Sequence, residues 1–132
     1  MGTPTPKTPI VLNEDGSVSM LVYQGRTLRL NATYEGLTDS TDYKARFGLT
    51  DKYGNELLVG ADSEDGTITF ADVHSAVAPN PVIATLISVL IPDEDMDITA
   101  KSGKVDLVLE DPDGQEDPIM VGDWILWREV TP

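Results

Sequence analysis

The sequence predicts an all-β protein, a sandwich or barrel of short strands, and three observations predict it. No window sustains the 3.6-residue apolar period of a helix. Short alternating or wholly apolar runs recur instead between turn signals built from Gly, Asn, Asp and Pro. The length of 132 residues and the 40% hydrophobic share suit a single domain, assigned to 10–132, that buries a core without disulfide or metal staples.

Taken in order, residues 1–9 hold three prolines and three threonines and read as a flexible, extended Pro/Thr-rich tether. Asn13-Glu14-Asp15-Gly16 turns the chain into a strand from Ser17 to Tyr23. Gln24-Gly25 breaks that run before Leu28, Leu30, Ala32 and Tyr34 alternate with Arg29, Asn31 and Thr33. Tyr43 to Leu49 alternates again, and Lys52-Tyr53-Gly54-Asn55 returns it as a hairpin into Glu56 to Val59. Asp65-Gly66 opens Thr67 to Phe70. A loop is expected from Asp72 to Pro81, because Pro79 and Pro81 cannot donate to a ladder.

Val82 to Ile91 holds no charge, and both of its faces are apolar. Ile83, Ile87, Val89 and Ile91 share one face with Thr85; Val82, Ala84, Leu86 and Leu90 share the other with Ser88. One face fills the core and the other calls for a cover. Asp93 to Ala100 reads as a short helical connector, with acids where a helix start favours them. Val105 to Glu110 alternates, and Ile119 to Val130 is a long final strand bearing Trp124 and Trp127. Three residues apart on a strand, these two indoles point to opposite sides.

Nine Lys and Arg against 23 Asp and Glu leave a net charge of −14, which argues against nucleic acid or an anionic membrane surface as partner. The absence of cysteine removes disulfides and thiolate chemistry, and is compatible with either redox compartment. No secretory signal is read at the N-terminus, and no apolar run approaches the length of a membrane-spanning helix.

The densest chemistry-bearing stretch is Leu109-Glu-Asp-Pro-Asp-Gly-Gln-Glu-Asp-Pro118, with five carboxylates. In an EF-hand register Gly114 falls at position 6 and Leu109 at position 1, where no ligand is available. Asp-Pro-Asp-Gly fits a tight turn, and its acids are expected to be solvated rather than catalytic. His74, beside Asp72 and Ser75, lacks the strand-turn-helix elbow of a hydrolase triad. There is no glycine-rich phosphate loop, and the triplet Asn31-Ala32-Thr33 is discounted as a glycosylation site. No catalytic residue, metal ligand or cofactor is assigned, and no enzyme activity or small-molecule substrate is expected. The candidate residues are those of an interface: Ile83, Ile87, Val89, Trp124 and Trp127.

The order of Val22-Tyr23-Gln24-Gly25-Arg26-Thr27, Tyr43-Lys44-Ala45-Arg46, Asp65-Gly66-Thr67-Ile68-Thr69, Gly103-Lys104-Val105-Asp106-Leu107, Asp113-Gly114 and the closing Glu129-Val130-Thr131 resembles small bacteriophage and prophage structural proteins. These carry immunoglobulin-like domains of the type at the N-terminus of baseplate and tail-fibre proteins. The resemblance implies an immunoglobulin-like antiparallel β-sandwich of about 7 to 9 strands with one short helical connector. It also implies a non-enzymatic virion component of tail, baseplate or head-tail junction, assembled in the bacterial cytoplasm. Its partners would be copies of itself or other virion subunits. The alternative weighed beside it is an immunoglobulin-like binding module for carbohydrate or a host surface, with an exposed tryptophan stacking on sugar.

Overall fold

A computed structural model describes residues 10–14, 16–35 and 42–127. The predicted tether 1–9 lies outside the described residues, as does the end of the final predicted strand beyond Trp127 with its Glu129-Val130-Thr131. The described chain forms nine strands: β1 (Ile10–Leu12), β2 (Val18–Tyr23), β3 (Leu28–Glu35), β4 (Lys44–Thr50), β5 (Leu57–Asp62), β6 (Ile68–His74), β7 (Val82–Ile91), β8 (Ser102–Glu110) and β9 (Glu116–Trp127). They assemble as a six-stranded sheet, β1-β2-β9-β8-β4-β5, packed on a three-stranded sheet, β3-β7-β6. The predicted all-β, immunoglobulin-like sandwich is borne out. One feature differs from an all-antiparallel plan: β2 runs parallel to β9, with Val18 opposite Gly122 and Tyr23 opposite Trp127.

The core follows from alternation. Leu28 and Leu30 of β3, Ile87, Val89 and Ile91 of β7, and Ile68 of β6 face Met20 and Val22 of β2, Phe47 and Leu49 of β4, Val105 and Leu107 of β8, and Trp124 of β9. Trp124 is fully buried. An aromatic side chain removes on the order of 200 Å² from water, so its burial contributes about 5 kcal/mol at about 25 cal/mol per Å². Its indole N–H is not stranded there, because Nε1 donates to the Thr50 carbonyl at 2.9 Å. Gly103 makes that contact possible. A Cβ at position 103 would stand 1.8 Å from the Thr50 oxygen and 2.6 Å from Trp124 Nε1, so only glycine lets the indole reach across β8.

The connector is shorter than a helix and does more than connect. Asp93–Asp95 is a single 3₁₀ turn, after which Met96 and Ile98 enter the core at 0% and 4% exposure. The Gly25 N–H donates to the Met96 carbonyl at 2.9 Å, and the Gln24 side-chain amide donates to the Ile98 carbonyl at 2.8 Å. This crossing segment thereby seals one end of the sandwich as it passes from β7 to β8.

Two sequence expectations are corrected in extent. The loop predicted from Asp72 begins later, since β6 continues through Asp72, Val73 and His74 opposite β7. Its edge position tolerates the approaching prolines, which start only at Pro79. The acidic stretch is likewise not all turn: Glu116, Asp117 and Pro118 already belong to β9 and pair with β8. Pro118 fits there because the β2 ladder on the other side of β9 begins only at Gly122, so its missing N–H costs no bond.

Candidate functional site

The structure divides the five candidate interface residues. Ile87, Val89 and Trp124 are 0%, 2% and 0% exposed, so they are core and not surface. Both faces of β7 are apolar, which left the sequence without a means to choose. The sandwich turns the side bearing Thr85, Ile87, Val89 and Ile91 inward. Ile83 and Trp127 are exposed, at 52% and 53%. They do not form one site: Ile83 sits at the start of β7, on the smaller sheet, whereas Trp127 stands on the outer face of the larger one.

Around Trp127 a surface does take shape. In the parallel β2–β9 pair, aligned residues project to the same side. Leu21 stands next to Ile125, and Tyr23 next to Trp127. Because Met20, Val22 and Trp124 face inward, these four side chains face out, forming an apolar stripe that ends in two aromatic rings. Ile125 is 60% exposed, and Tyr23 and Leu21 are half-buried. Val121, 51% exposed, lies beyond Asp123 on the same face of β9. The polar border of the stripe is Ser19, Ser102 and the ion pair Lys104–Asp123, at 2.7 Å. The end of the stripe is held in place by the Gln24 N–H, which donates to the Trp127 carbonyl at 3.3 Å. Sequence reasoning found Trp127 but missed Tyr23, Leu21 and Ile125. Their outward direction was legible in the alternation, but their adjacency depends on the parallel pairing.

The acidic end is a second concavity, lined by Tyr34, Tyr43, Leu109, Asp111, Gln115, Glu116 and Asp117. Its acids are engaged in holding the fold. Asp111 Oδ1 accepts the N–H groups of Asp113 (2.9 Å) and Gln115 (2.8 Å), closing the turn whose Gly114 adopts φ 88°. Glu116 Oε2 meets Arg46 at 2.6 Å, and this bond holds its carboxyl below the usual value. Asp117 Oδ2 accepts from the Tyr34 hydroxyl at 2.9 Å. That hydrogen bond, with burial and the Asp117 charge, raises the Tyr34 pKa, so the phenol is a donor and is poorly suited to act as a base.

The cluster at His74 also resolves into local structure. His74 Nδ1 lies 3.0 Å from the Asn80 carbonyl, to which it donates; Ser75 Oγ accepts the Val77 N–H at 3.1 Å; Asp72 accepts from Thr85 Oγ1 at 2.9 Å. Each member has a partner other than the next member of a triad. Among the described residues, no three His, Asp or Glu side chains gather in a geometry that could hold a metal ion, and no helix is long and apolar enough to cross a membrane.

No family model matches the chain, and no curated protein matches it. Among solved structures, the sialic acid binding region of a Streptococcus sanguinis SK1 adhesin, bound to 3'sLn, is similar at 14% identity and a TM-score of 0.32. The match covers 96% of this chain and 31% of that one, so the chain spans under a third of the adhesin region's length.

Proposed function

We propose that this protein is a non-enzymatic structural module of a bacteriophage or prophage virion, in the tail, baseplate or head-tail region, that acts through contacts with neighbouring subunits. The observation that supports this reading is the exposed stripe Leu21, Tyr23, Ile125 and Trp127. Apolar and aromatic side chains aligned on a rigid sheet, with a polar border, have the composition of an interface centre, where Tyr and Trp are enriched and charge is depleted. The segments that resemble phage structural domains include Val22 to Thr27, which contributes Tyr23 to the stripe. Particles purified after prophage induction test the proposal by mass spectrometry and radical footprinting. The chain is expected in stoichiometric amount, with Trp127 oxidised in the free protein and protected in the particle. Absence of the chain from particles overturns it.

A second reading rests on the same two rings. Tyr23 beside Trp127 offers aromatic rings on which a sugar can stack, with Ser102, opposite Ile125, the nearest polar side chain along the same face. Under this reading the chain is a carbohydrate or host-surface binding module. Glycan-array binding that is lost in Trp127→Ala with unchanged folding would favour it over subunit assembly.

A further inference from the structure

The outer faces of the two sheets differ in charge. On the larger sheet the outward residues include Arg46, Asp62, Lys104, Asp106, Glu110 and Asp123. On the smaller sheet β6 turns out Thr69, Ala71 and Val73, and β7 turns out Ala84, Leu86, Ser88 and Leu90. None of these is charged. β3 adds Asn31 and Thr33 between one charge of each sign, Arg29 and Glu35, set toward its two ends. On a chain of net charge −14, the strands of this face are electrically balanced.

The middle of the face is apolar. β7 lies between β3 and β6, so its outward row is the centre line. Leu90 is 47% exposed and Val73 43%, and half-buried Leu86 lies between Thr33 and Ala71. An apolar centre depleted of charge is the composition of an interface core. Strongly acidic copies repel one another through their summed field, and that repulsion is weakest where the surfaces that meet are neutral.

We infer that this face packs against the same face of a second copy of this chain, about a two-fold axis that runs across the strands over Ile87. Packed sheets lie about 10 Å apart, and this axis lays β3 on β3, β7 on β7 and β6 on β6, each reversed in direction. Arg29 and Glu35 lie equally far on either side of Ala32, which is aligned with Ile87. Arg29 of each copy therefore faces Glu35 of the other, within reach of two long side chains even when the sheets cross at the usual angle of about 30°. Leu90 comes over Ala84 and Leu86 over Ser88, so large side chains meet small ones. The other two-fold packing, with its axis along the strands, sets Leu90 on Leu90 and Leu86 on Leu86. It also lays both charges of β3 over β6, whose outward residues offer neither a partner. Charge and size thus select the same arrangement, and it keeps the two larger sheets on the far sides, away from each other. Three strands of about seven residues make a face of roughly 15 by 25 Å, small for a stable complex, so the dimer is a weak one. The inference goes beyond the assembly reading: it concerns the purified chain alone and uses the sheet opposite the Tyr23–Trp127 stripe, so each can fail without the other.

Sedimentation velocity on the purified chain tests it, at about 0.15 M salt and up to about 1 mM protein. The wild type is expected to dimerise as concentration rises, and Trp127→Ala to dimerise equally well. Leu86→Lys places a charge in the middle of the face and should weaken the dimer about tenfold or more. Arg29→Glu sets like charges together twice and should weaken it about fivefold. Glu35→Arg should do the same, although it lowers the net negative charge, and the double reversal should restore the dimer. Both side chains are exposed and have no ion pair among the described residues, so their reversal leaves the monomer's fold intact. A wild type that stays monomeric throughout overturns the inference. So does a dimer that tolerates Leu86→Lys, or one that both single charge reversals leave unweakened.

Discussion

Tyr34 and Asp117 tie the two sheets together at the acidic end: the phenol on β3 donates across the sandwich to the carboxylate on β9 at 2.9 Å. Their strands are separated by most of the domain's length in sequence, and the bond stands where the apolar core gives way to water. Tyr34→Phe removes it while keeping the ring, and Asp117→Asn weakens it. Each is expected to lower unfolding free energy by about 0.5–1 kcal/mol, toward the low end for a partly exposed bond. Urea denaturation of the two variants and the double variant measures the coupling.

The same pair should be visible by titration. Neutral Tyr34 is favoured in the folded state, so its pKa is raised above 10.0, first by the hydrogen bond to Asp117. A raised pKa means that its contribution to stability is fully present below the unfolded value near 10 and is lost as pH rises through the folded value. Ultraviolet titration of phenolate should show a late-ionising tyrosine in the wild type that moves back toward 10.0 in Asp117→Asn.

Acid should weaken the protein through three turn and strand carboxylates. Asp51 accepts the Asn55 and Tyr53 N–H groups, Asp65 accepts the Thr67 hydroxyl and N–H, and Glu116 pairs with Arg46; all three have lowered pKa values, chiefly from these bonds. Lowered pKa values make the contribution present above the unfolded carboxylate range and lost as pH falls below it. Thermal midpoints measured from about pH 6 to pH 3 are expected to fall. Replacing Asp51 by Asn and Glu116 by Gln together should flatten that fall.

The two tryptophans should report opposite environments. Trp127→Phe leaves only Trp124, buried and bonded to Thr50, and its emission is expected to be blue-shifted and resistant to iodide. Trp124→Phe leaves Trp127, with red-shifted, readily quenched emission. It should also destabilise the fold by about 2–4 kcal/mol, from lost volume and an orphaned carbonyl partner. Gly103→Ala is expected not to fold, because its methyl carbon would overlap the Thr50 carbonyl at 1.8 Å.

Calcium should leave the acidic turn unmoved. Asp111 is bonded to its own turn, Glu116 to Arg46 and Asp117 to Tyr34, so three of the acids that invited a metal reading already have partners. Thermal midpoints with millimolar calcium and with chelator are expected to coincide, since a ligand specific for the folded state would raise them.

The strands were legible where one face is apolar and the other polar, as in Leu28 to Tyr34 and Tyr43 to Leu49. Val82 to Ile91 was legible in its bounds alone: with both sides apolar, nothing local says whether Ile87 or Leu86 faces the core, and the inward choice is made by packing against the larger sheet. Trp124 and Trp127 were correctly opposed by their spacing. What periodicity cannot convey is which strands become neighbours. The parallel pairing of β2 and β9 joins segments about a hundred residues apart, and the Tyr23–Trp127 platform exists only because of it. The acids of the turn were legible as a turn, through Pro112 and Gly114, but their bonds to Tyr34 and Arg46 depend on the same long-range arrangement.

That β2–β9 ladder also determines how the domain meets force. β2 is entered from its N-terminal end and β9 is left from its C-terminal end, and the two run in the same direction. Tension applied through the chain on either side, once the three-residue β1 has peeled away, pulls these strands past each other along their length. The hydrogen bonds from Val18 to Tyr23 are then strained together, whereas a hairpin pulled from its open end gives way one bond at a time. The fold is therefore a shear clamp, whose resistance to stretching is set by the length of a single parallel ladder.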